Sequence, residues 1–161
     1  MPPSVSSSNA FSLRPAVPED AEALTALALR SKAYWGYDDA FMKACAAELT
    51  ITPARIADED VIVAEADNVI AGMVALAPGD SADVRELEDM FVDTPFIGSG
   101  LGAQLMAHAE EIARAHGAAH IDVDADPNAQ GFYEKCGYQL TGSSPSASIP
   151  GRTLPRLRLV L

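Results

Sequence analysis

The sequence predicts an α/β fold: a mixed sheet of six to seven strands flanked by about four helices. Three observations carry this. First, residues 87–103 pass from a β-rich stretch through the glycine-rich loop Gly98-Ser99-Gly100-Leu101-Gly102 into a periodic helix, and residues 119–124 return as a strand. That is one βαβ crossover, which implies a parallel strand pair. Second, residues 61–66 and 69–76 are β-rich runs separated only by Asp67-Asn68, the mark of an antiparallel hairpin. Third, the element order β-α-α-β-β-β-α-β-α-β-β does not alternate regularly, so the sheet is mixed rather than doubly wound.

Along the chain, residues 1–10 are rich in Pro and Ser and read as a disordered tail, leaving residues 11–161 as a single domain. Residues 11–15 form a short first strand. Pro18-Glu19-Asp20 opens a helix, since Pro suits the first turn and acids suit the positive end of the dipole. Leu24, Leu27 and Ala28 share its apolar face, and it runs to about Ala33. Next come Tyr34, Trp35 and Tyr37 beside Asp38 and Asp39. A second helix presents Phe41, Cys45 and Leu49 on one face, and Pro53 interrupts it.

After the hairpin, residues 78–81 make a turn and residues 83–92 a longer strand. Leu87-Glu88-Asp89-Met90 breaks strict alternation, which predicts a bulge. The helix after the glycine loop carries Leu101, Leu105, Ala109 and Ile112 on one face and ends at Gly117. Asp126-Pro127-Asn128 is a turn and cap, leading into a short helix through Phe132, Tyr133 and Cys136 that stops at Gly137. Residues 138–142 and 154–161 complete the sheet, with residues 143–150 as a loop between them.

Composition narrows the functional classes. The chain has 161 residues, 48% hydrophobic and 21% charged, with a net charge of −12. Such acidity disfavours nucleic-acid and anionic-membrane partners, both of which reward Lys and Arg. No apolar run approaches the ~18 residues of a membrane span. Cys45 and Cys136 offer neither a disulfide framework nor metal-ligand spacing, and read as reduced core thiols of a cytoplasmic protein. His108 and His116, on the helix after the loop, read as solvated residues, so no metal site is expected.

The glycine loop is the chemical centre. Glycines let backbone N–H groups approach a ligand, and a helix start adds unpaired N–H groups and positive dipole. Together they favour an anion. A dinucleotide reading gains from Asp122, twenty residues after Gly102. Against it, the glycines are not spaced G-x-G-x-x-G, and too few βα units follow.

The whole arrangement resembles the GNAT superfamily of N-acetyltransferases, over nearly all of residues 11–161. The resemblance rests on two motifs. Ile97-Gly98-Ser99-Gly100-Leu101-Gly102 is similar to the family's Q/R-x-x-G-x-G/A phosphate loop, with Ile97 in place of the leading Gln or Arg. Asn128, Phe132-Tyr133-Glu134-Lys135 and Gly137-Tyr138 are similar to N-x-x-x-x-F-Y-E-K-x-G-Y/F.

The resemblance implies the acyl-CoA N-acyltransferase fold and acetyl-CoA as co-substrate. It implies pyrophosphate contacts from Ile97, Gly98, Ser99, Gly100, Leu101, Gly102 and Ala103, and pantetheine contacts from Met90, Phe91 and Val92. Asn128, Phe132 and Tyr133 complete the cofactor set. A neutral amine attacks the thioester directly, and Tyr133 is the general acid for the leaving thiolate. Glu88 is the preferred base over Asp89, with a water chain to solvent as the alternative.

Tyr34, Trp35, Tyr37 and Arg152 are the expected acceptor walls. The acids beside Tyr34 favour a cation and Arg152 a carboxylate, which together suit an amino acid or peptide end. The acceptor is thus a small-molecule or peptide amine, and the protein a monomer or homodimer. A non-catalytic acyl-CoA sensor of the same fold is the rival reading.

Overall fold

The computed structural model describes residues 11–161, so the expected N-terminal tail lies outside the described residues. Seven strands form one sheet in the order β1-β2-β3-β4-β5-β7-β6. They are β1 (Ser12–Pro15), β2 (Asp60–Ala66), β3 (Val69–Pro78), β4 (Val84–Val92), β5 (His120–Asp124), β6 (Gln139–Pro145) and β7 (Thr153–Val160). Five α-helices accompany them: α1 (Ala21–Ala33), α2 (Asp39–Cys45), α3 (Pro53–Asp58), α4 (Leu101–Ala115) and α5 (Gln130–Lys135). Only β4 and β5 pair in parallel, across the α4 crossover.

Local chemistry explains the elements. Asp67 and Asn68 both adopt positive φ (53° and 66°), which makes the tight β2–β3 hairpin whose twist suits paired strands. Thr52 caps α3 by accepting from the Arg55 N–H at 3.1 Å, with Pro53 at the first helical position. The second predicted helix is therefore two short ones, and Leu49 lies buried in the turn between them.

Each face of the sheet has its own cover. On one face Leu101, Leu105 and Met106 of α4 pack with Ile62, Val74, Leu76 and Leu87. On the other, Leu24 and Leu27 of α1 pack with Val61, Val63 and Met73. The strand period of two sends alternate residues of β2 and β3 to opposite cores.

One expectation needs correcting. Residues 143–145 belong to β6, because Ser143, Ser144 and Pro145 pair with Pro155, Leu154 and Thr153. Asp122, the acid a dinucleotide site would have used, is buried and held by Arg158 at 2.7 Å and Arg156 at 3.3 Å. Those arginines hold its carboxyl below the usual range, Arg158 foremost.

Candidate active site

The site begins at an irregularity in β4. Ala75 pairs with Asp89 and Leu76 with Leu87, which leaves Glu88 without a partner on β3. This is the predicted bulge. On the other edge, parallel pairing of β4 with β5 stops at Leu87 and Val123. Past that point β4 stays on β3, while β5 stays on β7 as far as Asp124 and Arg156. The strands part, and a cavity of about 840 Å³ opens between them.

Met90, Phe91 and Val92 line that cavity from β4, and Ile97, Gly98, Gly100, Leu101, Gly102 and Ala103 line it from the loop. Asn128, Phe132 and Tyr133 line it from the α5 side, and Glu88, Tyr34, Trp35 and Arg152 complete the predicted residues present. Ser99, exposed on the loop, and Tyr37 are not among the lining residues.

The loop's glycines serve different ends. Gly98 and Gly100 have φ of +84° and +86°, with open space where a Cβ would point. They are glycines because L side chains avoid that conformation. Gly102 has an ordinary φ, but a Cβ there would meet the Phe132 ring at 3.0 Å, so its role is close packing of α4 on α5. The Ser99 N–H bonds the Phe96 carbonyl at 3.2 Å, and the Leu101 N–H bonds Ser99 Oγ at 3.4 Å. Among the described residues, the N–H groups of Gly98, Gly100, Gly102 and Ala103 find no acceptor. These orphan donors at the start of a fifteen-residue helix suit an anionic group such as a pyrophosphate.

Tyr133 is buried, its ring edge-on to Phe132 at 5.3 Å and to Tyr138 at 5.4 Å. Its hydroxyl has no hydrogen-bond partner among the described residues. Burial above all, then the charges of Asp89, Cys136 and Asp126, raises its pKa, so the phenol stays protonated across neutral pH.

The two β4 acids separate. Asp89 is buried and bonded by Arg55, which also holds Glu59 at 2.9 Å. Glu88 is exposed on the bulge and has no ion pair among the described residues. Partial desolvation, then the nearby charges of Glu59, Asp89 and Glu86, lifts its pKa above the carboxylate norm. A raised pKa brings a carboxylate closer to a useful base strength at neutral pH.

Helix α1 is tied to both sides of the parting. Arg30 bonds Asp93, just past β4, at 2.8 Å, and Lys32 bonds Asp126, just past β5, at 2.6 Å. The Tyr37 hydroxyl donates to Asp126 at 2.9 Å and accepts from Asn128 at 3.0 Å and from Arg152 at 2.9 Å. Burial alone would push the Asp126 carboxyl up, but Lys32, the Asn128 N–H and Tyr37 together hold it below the usual range.

Lys32, Arg55 and Asp126 are the residues that sequence reasoning missed. Asp126 had a local signal, as the cap before Pro127. Lys32 and Arg55 had none, since their partners lie 94 and 34 residues away. Conversely, Asp38 and Asp39 do not line the cavity, and Asp38 is spent capping α2 at the Phe41 N–H.

Among the described residues, no group of three or more His, Cys, Asp or Glu is placed to hold a metal ion, and no helix is long and apolar enough to cross a membrane.

Residues 25–138 match the sequence model of the Acetyltransferase (GNAT) family. The probable glucosamine 6-phosphate N-acetyltransferase 2 of Oryza sativa subsp. japonica is 30% identical over 109 residues, 62% of this chain and 63% of that protein. The chain thus spans less than two thirds of the first curated relatives it matches. A GCN5-related N-acetyltransferase structure from Rhodopseudomonas palustris superposes with a TM-score of 0.77 at 25% identity, over 93% of this chain and 95% of that one. The PaiA N-acetyltransferase of Thermoplasma acidophilum, solved with coenzyme A, gives a TM-score of 0.78 at 17% identity, over 94% and 99%. At that identity the likeness is one of fold.

Proposed function

Because the chain belongs to the GNAT acetyltransferase family, we propose that it moves an acetyl group from acetyl-CoA to a primary amine of a small molecule or peptide. The amine attacks directly, with both substrates bound. The observation that carries this reading is the parting of β4 from β5 at the Glu88 bulge, with orphan N–H donors and the Tyr133 hydroxyl on one cavity. A coenzyme A complex of a protein of the same fold, and a relative named for acetylating glucosamine 6-phosphate, agree with it.

Acetyl-CoA, when bound, supplies the activated acyl carbon. The N–H groups of Gly98, Gly100, Gly102 and Ala103 hold its pyrophosphate, aided by the dipole of α4. The main chain of Met90, Phe91 and Val92, freed from β5, offers donors and acceptors to the pantetheine amides, with Asn128 and Phe132 opposite. An N–H near Phe91 stabilises charge developing on the acyl oxygen. Glu88 takes the proton from the incoming ammonium, and Tyr133 gives its proton to the departing sulfur. Tyr34 and Trp35, exposed on the rim, form the outer acceptor wall with Arg152. The two free cysteines suit a reducing, cytoplasmic setting.

A screen of primary amines for acetyl-CoA-dependent thiol release tests the proposal. Amine-dependent release with acetylated product supports it. Tight coenzyme A binding without release on any amine would favour the sensor reading instead.

A further inference from the structure

We propose that the acceptor carries an anionic group, a phosphate or a carboxylate, seated between Lys32 and Arg152. The proposal deepens the acetyl-transfer reading and rests on it.

Lys32, near the end of α1, and Arg152, on the β6–β7 loop, both line the cavity and converge on one carboxylate, Asp126. Two cations thus share the one carboxylate they are paired with; the cavity's other acids, Glu48, Glu88, Asp89 and Asp124, make no ion pair with either. Their side chains are only 14% and 19% exposed, so solvent screens them weakly. Both heads lie over stacked rings: Arg152 is 4.9 Å from the Phe41 centroid, and Lys32 is 5.2 Å from that of Tyr37. The rings are 3.9 Å apart and nearly parallel, a rigid platform.

Hydrogen bonding leaves both cations underused. Arg152 offers five N–H donors, and its one bond among the described residues goes to Tyr37. Its ion-pair distance to Asp126 is a loose 3.5 Å. Lys32 uses one of three donors. By contrast, Arg55 and Arg156, also partly buried, are bonded to several carboxylate oxygens each.

The coenzyme's own phosphates belong elsewhere. The glycine loop starts α4, which packs on one face of the sheet, while α1 packs on the other. Phe41, beneath Arg152, packs with Ala28 of α1 and so belongs to the α1 side. The Lys32–Arg152 pair therefore sits on the opposite face from the orphan N–H donors, reached through the parted strands. The acids beside Tyr34, which argued for a cationic acceptor, lie off the cavity. Of the acids that do line it, Glu88 on the bulge is the one assigned to the ammonium, so the acceptor has a positive and a negative end.

The test compares kcat/KM within two matched pairs: glucosamine 6-phosphate against glucosamine, and alanine against alaninamide. The anionic member of at least one pair is expected to win by about tenfold or more, the size of a charge-assisted contact. Preference in the first pair alone assigns a phosphate, and in the second alone a carboxylate. Arg152→Gln and Lys32→Met should each lower that ratio about fivefold or more, mainly through KM of the anionic member. Ratios near one in both pairs, or ratios that the variants leave unchanged, would overturn the proposal.

Failure of the acetyl-transfer reading looks different: no thiol release with any amine, anionic or neutral. In that event inorganic phosphate is titrated calorimetrically into protein saturated with coenzyme A. Binding that weakens in both variants upholds the anion seat, and no binding, or binding indifferent to both variants, refutes it.

Discussion

Replacing Arg55 by Ala should destabilise the protein severely, through one buried carboxylate. Asp89 is 7% exposed, and Arg55 is its ion-pair partner among the described residues. Truncating Arg55 leaves that charge in a low-dielectric site, which costs about 3–5 kcal/mol when a buried pair is broken. Domains of this size have stabilities of about 5–15 kcal/mol, so the loss is a large share. At about 2–4 °C per kcal/mol, the melting temperature should fall by about 6–20 °C.

The deficit also has a pH signature. Burial already lifts the Asp89 carboxyl above its ordinary range in spite of Arg55. Without Arg55 its folded pKa rises further, while the unfolded value stays near 3.9. Ionised Asp89 then opposes folding, and the penalty is removed as pH falls through the raised folded pKa. Thermal melts of wild type and Arg55→Ala between about pH 8 and about pH 5 should therefore converge on the acid side. Adding Asp89→Asn to the variant should recover more than about half of the loss. A deficit below about 1 kcal/mol, or one that does not shrink on acidification, would refute the reasoning.

Gly100→Ala forces an L side chain to φ +86°, a cost of about 1–2 kcal/mol with no steric clash to add. Calorimetry should show coenzyme A affinity falling about five- to thirty-fold, whereas unchanged affinity would remove the loop from binding. Gly131→Ala is the counterpart: Gly131 lies in α5 with an ordinary φ and open space around it, so the change should stabilise by about 0.5–1 kcal/mol in denaturant melts. Glu88→Gln should lower kcat about 10²–10⁴-fold and flatten the acid limb of the pH–rate profile, since the activity of a carboxylate base grows as pH rises through its pKa. A profile that Glu88→Gln leaves intact would hand the proton to water instead.

Elements with local chemistry were the legible ones. Asp67-Asn68 supplied positive φ for a hairpin, and Gly117 the stop of a helix whose apolar stripe repeats every turn. Even the bulge left a trace, because the extra residue Glu88 disturbs the period of two. The end of strand β6 was harder: Ser143, Ser144 and Pro145 read as a loop, and pairing with β7 decides their state. The three glycines of the loop look alike in the sequence, whereas dihedral angle fixes Gly98 and Gly100 and the Phe132 ring fixes Gly102.

Site residues followed the same division. Those on the strand, loop and short helix carried sequence patterns and came together on one cavity. The clasp of Lys32, Tyr37, Asp126 and Arg152 joins segments up to 115 residues apart. Nothing local in a sequence specifies which distant carboxylate a lysine will meet. Tyr37 illustrates the point, since an aromatic expected in the wall is absent from the lining and instead accepts a hydrogen bond from Arg152.

The most direct test of the account is the Tyr133→Phe variant, assayed for amine-dependent thiol release at saturating acetyl-CoA, with coenzyme A affinity measured on the same protein. Only the hydroxyl is lost, and it has no partner among the described residues, so folding and binding should hold within about twofold while kcat drops about 10²-fold or more. An unchanged kcat would contradict Tyr133 as the proton donor. Loss of coenzyme affinity without loss of kcat would contradict the arrangement that places its hydroxyl beside the sulfur.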